Sequence, residues 1–151
     1  MDARVSRRIL LLFAGAVAVV ACGTVSIGAE SPGGQCPAVP GRAAAEIKFT
    51  ADIQPVFDDN CVACHQEGSA NQGLVLESGQ SLGRLVRKRS TEAKLNLVEP
   101  GNPGKSYLFA KISGTQKEAG GNGARMPQGG TLDPRATALI CNWIANGAPN
   151  N

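Results

Sequence analysis

Side chains able to bond covalently and to ligate a metal stand together at Cys61-Val62-Ala63-Cys64-His65. This spacing, two cysteines three apart and a histidine directly after, suits covalent attachment of a c-type haem. Each thiol adds its S–H across one vinyl group, with no leaving group, and the histidine ligates the iron. On one helical turn the three positions are i, i+3 and i+4, so their side chains leave by one face toward one flat ligand. Three other readings use similar residues. A zinc site needs further Cys or His ligands, but His65 is the only histidine and no second closely spaced cysteine pair exists. A thioredoxin-like redox pair sits in a strand-helix-strand pattern, and none surrounds this one. Chance is the third, and the export signal described below argues against it.

A second axial ligand is a matter of elimination. Methionine and histidine are the usual choices, and with one histidine a bis-histidine iron within one chain is ruled out. Of the two methionines one is Met1, which leaves Met126. Pro127 after it favours an extended backbone at Met126 that presents the side chain. The alternative is a core or loop methionine, with the sixth position open or taken by lysine.

Short helices must carry these residues. Asp52 is expected to cap one in which Pro55 falls in the first turn and Ile53, Val56 and Phe57 form the apolar face, delivering the chain to Cys61. Residues 66–103 read as loop-rich, with brief extended pieces at 74–76 and 95–98. Ser106 is expected to cap a helix through Ile112, followed by a glycine-rich loop that leads to Met126. The clearest helix starts with Asp133 as cap and Pro134 at its first position, carries Ala136, Leu139, Ile140, Trp143 and Ile144 on one stripe, and stops at Gly147.

Aromatic content of only 4%, with 19 Gly and 9 Pro, leaves few large side chains to fill a core. A buried porphyrin would supply that apolar surface. The formal charge is +3, from 15 basic and 12 acidic residues. Without Arg4, Arg7, Arg8 and Asp2 of the N-terminus, 12 and 11 remain, and two haem propionates would take the balance to about −1. Nucleic acid is therefore not an expected partner. The basic run Arg84, Arg87, Lys88, Arg89 reads first as a solvated face and second as a patch for an acidic redox partner.

Residues 1–21 look like an export signal, with arginines followed by an apolar run from Ile9 to Val20. Val19-Val20-Ala21-Cys22 resembles a bacterial lipobox, in which cleavage leaves Cys22 as a lipidated N-terminus; simple secretion and an uncleaved anchor are the alternatives. Ser6-Arg7-Arg8 brushes against a twin-arginine signal, a route not needed when haem is attached after export. Residues 22–46, rich in Gly, Ser, Pro and Ala, are expected to be a tether, and 47–149 the folded domain. Five cysteines, less one for lipid and two for haem, leave Cys36 and Cys141 in a compartment where thiols oxidise. Two readings stand for them, a disulfide or two free thiols.

Asp52-Ile53-Gln54-Pro55-Val56-Phe57, the Cys61–His65 motif, Gly73-Leu74-Val75-Leu76, Glu99-Pro100-Gly101-Asn102-Pro103 and Ser106-Tyr107-Leu108 together resemble small class I cytochrome c domains of exported bacterial proteins, especially the planctomycete-type variety. Lys111-Ile112, Arg125-Met126-Pro127 and Trp143-Ile144-Ala145-Asn146-Gly147-Ala148 extend the likeness to about two thirds of the chain. The resemblance implies an all-α bundle around one covalent haem c, with His65 as proximal and Met126 as distal iron ligand. Cys36 and Cys141 are outside the family pattern. The expected role is a single-electron carrier rather than an enzyme, working with redox partner proteins on the periplasmic side of a bacterial membrane. Alternatives are a five-coordinate gas-binding or peroxidase-like haem protein, weakened by the lack of a distal histidine, and a haem-stabilised docking subunit of a larger oxidoreductase. One outcome follows directly from the N-terminal motif. Cys22→Ser, expressed in a host with lipoprotein processing, should fractionate as soluble or unprocessed protein, whereas a correctly cleaved, unlipidated chain that stays on the membrane would refute lipid anchoring.

Overall fold

A computed structural model describes residues 36–151; the expected signal, Cys22 and the first part of the expected tether lie outside the described residues. The described residues form four α-helices, α1 (Gln54–Asn60), α2 (Ser81–Leu85), α3 (Tyr107–Ser113) and α4 (Pro134–Ala145), joined by loops and short turns. Among the described residues no strand forms. Three isolated bridges, Val86 with Val98, Arg89 with Asn96 and Asn96 with Ser106, are what becomes of the extended piece expected at 95–98. The described residues are thus all-α, as the resemblance implies.

Helix α4 begins as expected: the Asp133 carboxylate accepts the N–H groups of Arg135 (2.8 Å) and Ala136 (3.2 Å), and Pro134 takes the first turn, where its missing donor costs nothing. Its Leu139, Ile140, Trp143 and Ile144 are buried. Trp143 is fully enclosed. Its ring lies 5.2 Å from that of Phe49, which meets Phe57 edge-on at 6.3 Å, and its Nε1–H donates to the Pro149 carbonyl at 3.1 Å. The tail is held too: Asn151 accepts the N–H of Phe49 through its side chain (2.8 Å) and the N–H of Thr50 through its carbonyl (3.1 Å).

Cys141 is 1% exposed. What covers it is the chain before residue 47. Cys36 is joined to Cys141, the Asn142 amide donates to the Pro37 carbonyl (2.8 Å), Arg135 to the Pro40 carbonyl (3.3 Å) and Asn146 to the Ala44 carbonyl, and Val39 is buried. The expected tether of 22–46 is therefore cut short. Residues 36–46 pack on α4 as part of the folded body, which the composition of small residues disguised because their anchoring is by backbone carbonyls.

Two caps also differ. Asp52 does not cap α1; it sits in the π-turn Phe49–Ile53, accepts the Lys48 N–H (2.7 Å) and pairs with Arg42 (2.9 Å), and Ile53 takes the cap position. Burial works against ionisation of Asp52, but those hydrogen bonds and the guanidinium charge together hold its pKa below the usual range. Ser106 stands at the start of α3, yet its hydroxyl accepts the Glu99 N–H (2.9 Å) and donates to the Asn102 carbonyl (2.8 Å) instead of capping. Helix α3 ends at Gly114, whose φ of 82° is a left-handed conformation that glycine adopts without strain.

The Cys36–Cys141 bridge closes 105 positions. Replacing both cysteines with Ala should lower the unfolding free energy by about 2–4 kcal/mol, read by urea denaturation. Intact mass after alkylation of denatured, non-reduced protein should show no adduct at either residue, and adducts at both would count against the bridge.

Candidate functional site

Helix α1 stops at Asn60 because the Phe57 carbonyl takes two donors, Cys61 N–H (2.8 Å) and Val62 N–H (3.0 Å), and Cys61 leaves the helical path at φ −130°. The Cys61–His65 stretch is thus a separate turn rather than part of a helix. It keeps helical closure: the Cys61 carbonyl accepts the N–H groups of Cys64 (3.1 Å) and His65 (3.0 Å). The three chemically competent residues therefore share one turn, as their spacing predicts. Cys61 and Val62 rest partly on the core, and Cys64 is exposed. Burial pushes the Cys61 thiol up to about 11. Neither thiol is paired.

The following loop folds back on the turn. Asn71 N–H donates to the Cys64 carbonyl (3.1 Å) and Leu76 N–H to the His65 carbonyl (2.7 Å), which brings the Leu74 carbonyl 3.1 Å from His65 Nδ1. A carbonyl can only accept, so Nδ1 carries the proton and Nε2 of the neutral ring keeps its lone pair for a metal. The loop is itself fixed from beneath. Buried Gln54 donates to the Leu76 carbonyl (2.9 Å) and to Asp58 (2.8 Å), while its own side-chain oxygen accepts the Ser81 hydroxyl. Sequence reasoning missed Gln54, Ser81 and α2. A signal was present: Gln54 stands three residues before Phe57, on a face meant for the core.

Met126 comes from another element. Its N–H donates to the Lys111 carbonyl of α3 (3.0 Å), Arg125 Nε donates to the Ile112 carbonyl (2.7 Å), and the Met126–Pro127 peptide is cis. The side chain is half-buried. Among the described residues no hydrogen bond joins this loop to the Cys61–His65 turn.

Val56, Val62, Leu74, Leu82, Val86, Leu97 and Phe109 pack against the core yet stay partly exposed. Two unpaired thiols, a histidine with one nitrogen aimed at a carbonyl and a fringe of unfinished apolar surface form a donor set and setting that fit a covalently held haem. An open cleft of about 430 Å³, bordered by Phe49, Gln54, Ser81 and Leu82, includes none of Cys61, Cys64, His65 or Met126. Among the described residues no group of three or more His, Cys, Asp or Glu gathers, and no helix is long and apolar enough to cross a membrane. Arg84, Arg87, Lys88 and Arg89 are all exposed, outside the two ion pairs of the described residues.

No family model matches the chain, and no curated protein does. Among solved structures, a chain of Kuenenia stuttgartiensis hydrazine synthase is similar over 68% of this chain and 16% of its own length, at 19% identity and a TM-score of 0.43. A likeness of that size carries no role across.

Gln54→Leu removes the support under the loop and leaves the Leu76 carbonyl and Ser81 hydroxyl without their partner. It should destabilise the protein by about 1–3 kcal/mol, measured by chemical denaturation. An unchanged midpoint would mean that the loop is held without it.

Proposed function

We propose that this protein is a single-electron carrier holding one covalent haem c through Cys61 and Cys64, with His65 as proximal and Met126 as distal ligand. The observation that carries the reading is the His65 ring: its Nδ1 faces the Leu74 carbonyl at 3.1 Å, leaving Nε2 as the ligating atom, on the same turn as two unpaired thiols. When bound, the haem iron supplies the one-electron couple. The chain's residues do the rest. The carbonyl of Leu74 fixes the tautomer and plane of the imidazole and raises its basicity as a ligand. The loop from Gln66 to Leu76, pinned through Gln54, keeps that carbonyl in place. Met126 would contribute a soft thioether, which favours ferrous iron and raises the reduction potential relative to a second imidazole. With both axial positions taken, no site is left for substrate, and this is why we read a carrier rather than an enzyme.

We place it on the periplasmic side of a bacterial membrane, anchored through lipid on Cys22 and exchanging electrons with partner proteins of the cell envelope. The lipobox-like segment and the oxidised cysteine pair support export.

An optical spectrum of the purified holoprotein should be that of low-spin haem c, with a weak near-infrared band of sulfur-to-iron charge transfer in the oxidised form. Met126→Ala should abolish the band and open the reduced iron to carbon monoxide. Ready binding of carbon monoxide by the unaltered protein would favour the gas-binding reading instead. Cys61→Ala/Cys64→Ala should lose covalent haem and, with it, cooperative thermal unfolding; a cooperatively melting haem-free form of similar stability would refute that dependence.

A further inference from the structure

The loop that leads to Met126 is rich in glycine, with Gly114, Gly120, Gly121 and Gly123, so it has few side chains with which to pack. Polar anchors replace them. The Lys111 ammonium, its side chain 12% exposed, donates to the carbonyls of Asn122 (2.8 Å) and Ala124 (3.2 Å) and pairs with Glu92 (2.9 Å). Glu92 also accepts the Tyr107 hydroxyl at 2.8 Å, and the ammonium lies 5.8 Å from the Tyr107 ring centroid. The loop closes over that ring at Gly121, where an added Cβ would collide with the Tyr107 hydroxyl and ring. One cation thus holds two loop carbonyls, four and two residues before Met126, while its own backbone carbonyl holds the Met126 N–H.

We propose that Lys111, itself fixed by Glu92 and Tyr107, is the positioning residue that sets where the Met126 sulfur stands. This rests on the reading of Met126 as second iron ligand. Charge-assisted hydrogen bonds are the strong ones, and here they act on backbone atoms, beside the loop's own side-chain anchors, Gln116 to the Gly123 carbonyl (3.1 Å) and Arg125 to the Ile112 carbonyl (2.7 Å). The Glu92 carboxylate supplies the counter-charge without which a largely buried ammonium would be costly.

The test uses the holoprotein with two variants that act from opposite sides. Lys111→Leu removes the donors, keeps an apolar stem and adds no second thioether, and Gly121→Ala leaves every donor in place but forces the loop off Tyr107. Both should lose most of the sulfur-to-iron band and admit carbon monoxide, and exchange of the Met126 amide should quicken on the order of tenfold or more. Gly130→Ala, where a Cβ meets open space, should change neither. Cys36→Ala/Cys141→Ala, which lowers stability at a bridge outside this hydrogen-bonded cluster, should keep the band, separating positioning from general weakening. If Lys111→Leu does not fold, Tyr107→Phe takes its place beside Gly121→Ala. Wild-type band and exchange in both folded variants would overturn the proposal. Should the unaltered protein lack the band, the His/Met reading falls, and exchange at the Met126 amide alone decides whether the cluster holds the loop.

Discussion

Enclosure of the Trp143 indole is the constraint on which the rest of this structure depends. Its ring contacts Phe49, Phe49 contacts Phe57, and Phe57 supplies the carbonyl that ends α1 and starts the Cys61–His65 turn. An aromatic chain therefore runs from the last helix to the reactive turn. With so few aromatics in the sequence, three of them in series is most of what the chain can spend on rigidity, and dense packing makes such a series stiff.

The two halves of the candidate site are held in different ways. Backbone hydrogen bonds tie the Cys61–His65 turn to its returning loop, and a neutral amide, Gln54, supports that loop. Charge anchors the Met126 loop, through Lys111 and Glu92. Burial opposes ionisation of Glu92, yet the hydrogen bonds from Lys111 and Tyr107 keep its pKa below the ordinary range, while burial and the same carboxylate push the Tyr107 hydroxyl up to about 12. That cluster keeps Glu92 ionised and Tyr107 protonated at neutral pH.

What the sequence disclosed follows from what is local. The 61–65 motif, the Asp133 cap, the Pro134 start and the stripe of α4 all depend on residues within four positions of one another, so periodicity and spacing reveal them. Asp52 and Ser106 were legible as cap types but not in their use, because each found a partner that competed with the helix end, Lys48 and Arg42 for one, Glu99 and Asn102 for the other. Gln54, Ser81 and the Lys111 cluster were invisible for a related reason. Apart from Asp58, four positions after Gln54, their partners lie 11 to 27 positions away, and a polar residue aimed at a distant carbonyl looks, in sequence, like one aimed at water. Residues 36–46 were misread as tether on the same ground.

The order of cysteines along the chain has a kinetic side. Among the four described cysteines, Cys36 meets Cys61 after a loop of 25 positions but its actual partner after 105. Loop-closure entropy alone favours the shorter ring by about 1.3 kcal/mol, roughly ninefold. Of the pairings open to these four thiols, the observed one spans the longest loop. In an oxidising compartment an unfolded chain would thus be trapped first in wrong rings, unless Cys61 and Cys64 were already occupied or the Pro37 and Pro40 carbonyls had docked on α4. Consuming the two inner thiols early would leave Cys36 a single partner among the described cysteines, so that attachment at the 61–64 pair would also proofread the bridge.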